Sequence, residues 1–185
     1  MAAMLARAVD DVAEVARDHV RRAETYRDLA FRDPLTDLAN RRAFEDALRS
    51  LTEAPADVDG AILTIDVDAF KAVNDQRGHA VGDRVLRAIG HAIRSAVRPG
   101  DLPARIGGDE FAVLLPRTAV AVAADVGDRI RAAVSAGTEP PVSISVGVAP
   151  LSADPRAALL AADTALYEAK AGGRDRVVGA RGLTA

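Results

Sequence analysis

Acidic side chains stand at the ends of two mostly apolar segments of this sequence. Asp66 and Asp68 follow the run AILTI, and Asp109 and Glu110 precede the run FAVLLP. Mg²⁺ in proteins combines a few carboxylate and carbonyl oxygens with substrate phosphates. We expect Asp66, the Val67 carbonyl and Asp109 to supply three such ligands. Only one aspartate of the first pair is expected to face the site.

Each of these acids also has a purely structural interpretation. Asp68 could cap the next turn while Asp66 is solvated. In the segment RIGGDEFAVLLP, Gly107 and Gly108 supply the positive φ that a tight two-residue hairpin turn requires. Asp109 fits a plain hairpin less well, because a strand former is more usual there and the adjacent glycine lets a ligand approach the backbone. A hairpin and a ligand site therefore both stay open for this segment.

Polar residues after the first aspartate pair could bind a nucleotide. Lys71 follows within one turn, and Asn74, His79 and Asp83 are expected in a loop and at a helix start. Amide and carboxylate groups can read a purine edge, and a carboxylate that accepts from N1 and N2 of the base is specific to guanine. Taken singly, the same residues are ordinary turn formers, loop residues and first-turn residues of a helix.

The basic residues are unusual, because only Lys71 and Lys170 among 24 are lysine and the rest are arginine. Lysine is a compact point charge and arginine a planar fork, so these two positions either need that difference or kept lysine by chance. The net charge of −3 gives no overall attraction to nucleic acid or to an anionic membrane. The absence of cysteine excludes disulfides and cysteine-bound zinc, so any metal must be held mainly by oxygen.

The N-terminal residues 1–31 are predicted to form an amphipathic helix outside the main core. Apolar and small residues recur there at alternating steps of four and three. Alanine and histidine fill half of this stripe, so a helix packed on its own chain and a coiled coil remain alternatives. Asp10 and Asp11 interrupt the N-terminus before any run long enough for a signal peptide or a membrane span. We expect a cytoplasmic protein with a globular domain at 32–179 and a tail at 180–185.

The globular part alternates between strand and helix patterns. Thr36 or Asn40 could cap a helix running to about Leu51. GAILTIDVDAF is predicted as a strand, AVGDRVLRAIGHAIRSAV as a helix, and DLPARI with EFAVLLP as paired strands. The segments AVAVAADVGDRIRAAVSA, PVSISVGVAP, DPRAALLAADTALYEAKAGG and RDRVVG then predict helix, strand, helix and strand. The order βαββαβ predicts an α+β sandwich of the ferredoxin-like kind, with helices on a mostly antiparallel sheet.

Five segments in order resemble the blocks of one family. DPLTDLANRR, DVDAFKAVNDQRGHAVGD, ARIGGDEFAV, SISVGVA and ADTALYEAKAGGRDRV, within residues 33–178, resemble the GGDEF-domain diguanylate cyclases. The ordered set is far more specific than the five-letter signature at 107–111 alone. The resemblance implies a cyclase-palm sandwich and a bacterial signalling enzyme that joins two GTP into cyclic di-GMP with release of two pyrophosphates. It also implies a homodimer, since each domain holds one GTP, and dependence on Mg²⁺ or Mn²⁺.

The resemblance assigns metal-binding and catalytic roles to matching residues. Asp66, the Val67 carbonyl and Asp109 correspond to metal ligands. Asp109 is also the suggested proton acceptor, although metal-bound water or the substrate could take the proton instead. Glu110 is a further participant, and Lys71 corresponds to the stabiliser of the transition state.

The resemblance also assigns substrate-binding residues. Lys170 and Arg174 match residues that hold phosphates, and Asn74, His79 and Asp83 match the nucleotide-contacting set. Within that set, Asn74 and Asp83 are expected to select guanine.

Arg98 and Asp101, five residues before the signature, match the family's R-x-x-D product-inhibition site. The alternative is ordinary chemistry at a helix end, with the arginine on carbonyls of the last turn.

The chain departs from the family pattern at Asp37, which stands where glycine is usual and could tolerate a left-handed backbone. It also carries Ala39 where proline is frequent and Ala69 where a larger residue is common.

Two other functional classes remain as alternatives. One is a non-catalytic GGDEF module that binds GTP or cyclic di-GMP as a receptor, which the intact acids and lysines disfavour. The other is a coiled-coil scaffold with an inert globular part, which the weak seam of residues 1–31 disfavours.

Overall fold

A computed structural model describes residues 30–52 and 59–180 of the chain. The helix predicted for residues 1–31 therefore lies outside the described residues, apart from Ala30 and Phe31, which are helical. The predicted tail also lies outside them from residue 181 onward. Within the two described ranges, no helix is long and apolar enough to cross a membrane.

Six strands and five helices make up the described part of the chain. In chain order they are β1 (Ala39–Asn40), α1 (Arg41–Thr52), β2 (Gly60–Val67), α2 (Phe70–Arg77), α3 (His79–Ala96), β3 (Leu102–Arg105), β4 (Glu110–Pro116), α4 (Val120–Gly137), β5 (Ile144–Pro150), α5 (Pro155–Ala171) and β6 (Val177–Gly179). The strands β2 to β5 with their helices follow the predicted βαββαβ order.

The six strands form one mixed sheet in the order β1-β3-β4-β2-β5-β6. The four central strands, β3, β4, β2 and β5, are antiparallel to one another, and the edge strands β1 and β6 pair in parallel with β3 and β5. The predicted mostly antiparallel sandwich is therefore confirmed. This topology brings the end of β2 next to the start of β4 and the start of β5.

The core lies on both faces of the sheet because side chains alternate along each strand. Leu63 and Ile65 of β2 belong to the cluster formed with α3 and α4. Ile62 belongs to the cluster formed with α1 and α5. Helices therefore cover the sheet on both sides, and polar residues reach solvent mainly at the strand ends.

The cap predicted for α1 is found at Asn40, whose side-chain oxygen accepts a hydrogen bond from the Ala43 amide at 3.0 Å. Thr36, the other candidate, instead donates its hydroxyl to Asp33 at 2.7 Å. Asp37 has a φ of 57°. It therefore adopts the left-handed backbone conformation that we expected an aspartate to tolerate at this position.

The segment after β2 differs from the prediction. Asn74, which was expected in a loop, lies on the helix α2. Asn74 and Asp75 are turn formers in isolation, but the buried side chain of Phe70 anchors the first turn on the core. Gly78, with a φ of 81°, ends this short helix and allows α3 to begin at once.

Candidate functional site

A cavity of about 450 Å³ opens between α2, the start of α3 and the β3–β4 hairpin. Five predicted site residues line it: Lys71, Asn74, His79, Asp83 and Asp109. Because the two helices meet at Gly78, the end of α2 and the first turns of α3 face the same opening. The volume is within the range of small-molecule sites.

Asn74 is held against the neighbouring helix at a position without a side chain. A Cβ added at Gly82 would overlap Asn74 Oδ1 and crowd the Phe70 ring. Gly82 is buried within α3, so the close approach of the two helices depends on this glycine. No local sequence pattern indicates this role of Gly82, because the contact is made between two different helices.

The hairpin turn is not the predicted two-residue turn. Strand pairing between β3 and β4 ends at Arg105, and neither Gly107 nor Gly108 has a positive φ, so the left-handed conformation expected for them is wrong. Arg105 closes the turn instead, since its Nη2 donates to the Gly108 carbonyl at 2.7 Å. Gly107 is needed for another reason, because a Cβ there would overlap the carboxylate of Glu110.

The turn that carries Asp109 is tied to both of its neighbours. The Val67 amide donates to the Asp109 carbonyl at 3.2 Å. On the other side, Arg105 Nη1 lies 3.2 Å from Asp33 Oδ1, and both side chains are largely buried. Burial alone would raise the pKa of Asp33, but hydrogen bonds from Thr36 and the Arg105 charge outweigh it and lower this pKa.

A second group of charged residues surrounds Asp66 at the end of β2. Lys170 Nζ lies 2.7 Å from Asp66 Oδ2, and Glu110 is the cross-strand neighbour of Asp66 on β4. Burial raises the pKa of Asp66, Lys170 lowers it, and the charges of Asp109 and Glu110 raise it, with a raised pKa as the net result. Lys170 thus lies beside Asp66, with the carboxylates of Asp109 and Glu110 near enough to act on it, an arrangement to which a divalent cation would add positive charge.

Helix α5 brings Lys170 to Asp66 because it packs unusually close to the sheet. The buried residues of α5 are all alanine: Ala158, Ala162, Ala165 and Ala169. On the facing strand, a Cβ at Gly147 would overlap the α5 backbone. Small residues on both sides let the helix approach, so its last turn reaches the end of β2.

The predicted metal ligands come together only in part. Asp66 pairs with Lys170 of α5, whereas Asp109 lines the cavity beside α2 and α3. Within residues 30–52 and 59–180, no three acidic or histidine side chains converge into a metal site by themselves. A divalent ion would need the Val67 carbonyl and phosphate oxygens in addition to carboxylates, which is the donor set that Mg²⁺ prefers. The residues present therefore fit a magnesium site in which the protein supplies some of the ligands and the substrate phosphates supply the others.

Arg174 does not line the first cavity. It lies in the turn between α5 and β6, where it borders a second cavity of about 490 Å³ together with Asp68 and Arg77. Asp68 is buried, with hydrogen bonds to Ser143 and Ser145. The alternative in which Asp68 caps the next turn while Asp66 is solvated is wrong, because α2 has no side-chain cap and Asp66 is paired with Lys170. The carboxylate of Asp68 is therefore occupied, in agreement with the expectation that one aspartate of the pair faces the site.

Arg98 and Asp101 contact one another at the end of α3. Arg98 Nε lies 3.3 Å from Asp101 Oδ1, and Asp101 is buried while Arg98 is exposed. Arg98 Nη2 donates to the carbonyl of Pro116, at the end of β4, at 2.8 Å, rather than to carbonyls of its own helix. Both residues border a cavity of about 670 Å³ that Arg94 also lines.

Sequence reasoning missed the contacts of Gly82, Asp68 and Arg105. Each depends on a neighbouring element or on a residue far along the chain, so no local pattern indicates it. The one available clue was that Arg105 and Asp33 both lie within segments that resemble family blocks.

Comparison with known proteins agrees with the resemblance noted in the sequence. A family model described as "Diguanylate cyclase, GGDEF domain" matches residues 30–176. The response regulator PleD of Caulobacter vibrioides is 43% identical over 166 residues, which cover 82% of this chain and 36% of PleD. The diguanylate cyclase TpbB of Pseudomonas aeruginosa is 46% identical over 153 residues, which cover 76% of this chain and 35% of TpbB. The chain thus spans little more than a third of the length of these curated relatives.

Solved structures show the same fold. The coiled coil and GGDEF domain of DgcB from Caulobacter crescentus, in complex with c-di-GMP, matches with a TM-score of 0.85 and 36% identity, covering 96% of this chain and 99% of that one. The GGDEF domain of TpbB (YfiN) from Pseudomonas aeruginosa matches with a TM-score of 0.73 and 41% identity, covering 81% and 94%.

Proposed function

The chain belongs to the GGDEF-domain diguanylate cyclase family, and from this membership we propose that it condenses two GTP molecules into cyclic di-GMP and two pyrophosphates. The observation that carries the proposal is the cavity lined by Asn74, Asp83 and Asp109, with Asp66 and Lys170 at the adjoining strand end. A base-sized cavity beside an excess of carboxylates is what a nucleotide triphosphate with its cation requires.

Guanine is held in the cavity between α2 and α3. Asp83 accepts hydrogen bonds from N1 and N2 of the base, which adenine cannot supply. Asn74, fixed by its contact with Gly82, adds a second polar contact, and His79 borders the same opening. These residues therefore favour GTP over ATP.

The reaction is a phosphoryl transfer with no covalent enzyme intermediate. The 3′-oxygen of each GTP forms a bond to the α-phosphorus of the other GTP, and the bond from each α-phosphorus to its pyrophosphate breaks, so that two pyrophosphates leave. In each domain the 3′-proton passes to Asp109. Lys71 lies in the same cavity as Asp109 and stabilises charge on the transferring phosphoryl group. Lys170, in the last turn of α5, and Arg174, in the turn that follows this helix, hold the leaving phosphates. Positioning and charge neutralisation thus supply the catalysis.

Asp66, the Val67 carbonyl and Asp109 would hold a divalent cation, with Glu110 beside them. Mg²⁺, or Mn²⁺ in its place, would neutralise triphosphate charge and polarise the reacting phosphate. Lys170, which now contacts Asp66, would contact a phosphate oxygen of bound GTP.

Two copies of the chain form the active state, because each domain has one such cavity and the reaction needs two GTP molecules. The specific activity is therefore expected to rise with protein concentration until the dimer is saturated.

Arg98 and Asp101 form the site at which the product inhibits, since an exposed arginine fork held by a buried carboxylate is ordered to bind an anionic guanine dinucleotide.

The purified chain with labelled GTP and Mg²⁺ tests the proposal. Labelled cyclic di-GMP is expected, with turnover lowered at least about 10²-fold in Asp109→Ala. Asp125→Ala is the matched control, because Asp125 is an exposed aspartate of α4 that lines neither cavity, and it is expected to keep wild-type turnover. Nucleotide binding without turnover would support the receptor function instead, and the absence of both would contradict the proposal.

A further inference from the structure

The turn that presents Arg174 has a strained backbone. Gly173, Arg174 and Asp175 have φ angles of 115°, 63° and 45°, so two residues with side chains follow a glycine in the left-handed region. Such a conformation is unfavourable for arginine and aspartate and persists only where surrounding contacts enforce it. The Arg174 amide donates to the Ala169 carbonyl at 3.0 Å, which fixes where α5 ends.

Asp68 supplies the first of these enforcing contacts. Its Oδ2 accepts the Asp175 amide at 3.1 Å and the Ser143 hydroxyl at 2.7 Å, and its Oδ1 accepts the Ser145 hydroxyl at 2.7 Å. The carboxylate is 8% exposed and accepts three hydrogen bonds, so it is satisfied where it lies. It therefore joins the end of β2, the start of β5 and the strained turn.

Arg131 supplies the second contact, from the helix α4. Its Nη1 lies 3.0 Å from Asp175 Oδ1, and its Nε lies 3.2 Å from Asp128 Oδ1. The amide of Asp175 is thus held from the strand side by Asp68, and its carboxylate is held from the helix side by Arg131. Arg174 itself is exposed, and its guanidinium has no ion pair among the described residues.

We propose that Asp68 and Arg131 are positioning residues that hold the strained turn, and thereby aim Arg174 at the phosphates of bound GTP. The assignment of Arg174 to phosphate rests on the proposed function. Asp68 is well placed for this role because it follows Asp66 and Val67 by only one or two residues. The same strand end therefore carries the proposed metal ligands and sets their distance from Arg174.

The first test needs no nucleotide and reads the turn directly. Hydrogen exchange of the Asp175 amide is measured by NMR in the full chain, in Asp68→Ala, which leaves no acceptor for this amide, and in Arg131→Met. Exchange about tenfold faster than in the wild type is expected in both variants, because each loses one holding contact. Asp128→Asn is the matched control, since it removes the other partner of Arg131 and leaves the contact with Asp175. Unchanged exchange in both variants would overturn the holding role, whether or not the chain makes cyclic di-GMP.

The second test asks whether the turn serves phosphate. Binding of a non-hydrolysable GTP analogue and of guanosine is measured by calorimetry. Arg131→Met is expected to weaken the analogue about five- to tenfold and leave guanosine unchanged, because only the phosphates reach Arg174. Arg174→Ala is expected to give a similar loss, and combining the two to add little, as for residues acting through one contact.

The outcomes separate this proposal from the proposed function. Equal loss for guanosine, or fully additive losses in the double variant, would overturn the phosphate role. A wild-type chain that binds the analogue in this way but forms no cyclic di-GMP would contradict the cyclase activity alone. A wild-type chain that does not bind the analogue would overturn the phosphate role, while the exchange measurement would still decide the holding role.

Discussion

Lys170 Nζ lies 2.7 Å from Asp66 Oδ2, although one residue ends the last long helix and the other ends the first long strand. The pair joins a residue proposed to bind phosphate with a residue proposed to bind the cation. A compact ammonium group fits between a carboxylate and a phosphate better than a planar guanidinium does. This geometry gives a reason for one of the two lysines in an arginine-rich chain.

Lys170→Met is expected to lower kcat/KM for GTP by about 10²-fold, since it removes a charge aimed at the phosphates. Lys170→Arg restores the charge without the shape and is expected to recover little of the loss. Steady-state rates with GTP and Mg²⁺ check both variants. Near-complete recovery in Lys170→Arg would show that the point charge is not what the site requires.

Asp33→Asn is expected to lower the free energy of unfolding by about 1–3 kcal/mol at pH 7, because it breaks the buried contacts with Arg105 and Thr36. The folded-state pKa of Asp33 is lowered, so its contribution is complete above its ordinary pKa of 3.8 and is lost as the pH falls through the folded-state value. The difference between variant and wild type should therefore shrink below about pH 4. Urea unfolding over this pH range measures it.

Asp37→Asn is the control for that experiment. Asp37 also pairs with arginines, Arg32 and Arg94, but its side chain is 73% exposed. A loss under about 1 kcal/mol, as is usual for surface ion pairs, is expected. An equal loss of unfolding free energy in the two variants would mean that the buried contacts of Asp33 stabilise the protein no more than the exposed contacts of Asp37.

Gly82→Ala is expected to weaken GTP binding about tenfold, because the new methyl group displaces the Asn74 side chain. Alanine favours a helix more than glycine does, so the loss cannot come from helix propensity. Gly137→Ala is the matched control, since Gly137 is also helical and a Cβ there meets nothing within 4 Å. The affinity for a GTP analogue is measured by calorimetry. An unchanged affinity in Gly82→Ala would contradict the proposal that Asn74 binds the nucleotide.

Arg98→Ala is expected to raise the final yield of cyclic di-GMP several-fold without changing the initial rate, because product accumulates where inhibition is lost. Arg87→Ala is the control, because Arg87 lies on the preceding helix α3 and does not line the cavity that Arg98 borders. Thermal unfolding is followed in parallel, since Arg98 also donates to Pro116 and Thr118. An unchanged yield in a stable Arg98→Ala protein would contradict the inhibitory role.

The fold could be predicted from the sequence because its determinants are local. The continuous apolar run of β2, the 3.6-residue period of α3 and the cap at Asn40 each act within one element. The same local reasoning failed at α2, where the turn-forming residues around Asn74 are overridden by the burial of Phe70. It also failed at Gly107, where a glycine is required by its neighbour Glu110 rather than by its own φ.

The types of the site residues could be predicted, but their pairing could not. The sequence indicated that Asp66, Asp109 and the two lysines are unusual, yet it could not indicate that Lys170 meets Asp66. That contact depends on how closely α5 packs on Gly147, which is a property of the assembled layers. The left-handed pair Arg174 and Asp175 was not foreseen either, because the contacts that stabilise it come from distant segments.

Asp68 accepts hydrogen bonds from residues that lie 75 and 107 positions further along the chain. During translation the acceptor is therefore made 107 residues before its last donor, the Asp175 amide. A nascent chain in which residue 175 is still in the ribosomal exit tunnel cannot close this bond. The turn that carries Arg174 can then take its left-handed conformation only after residue 175 has emerged.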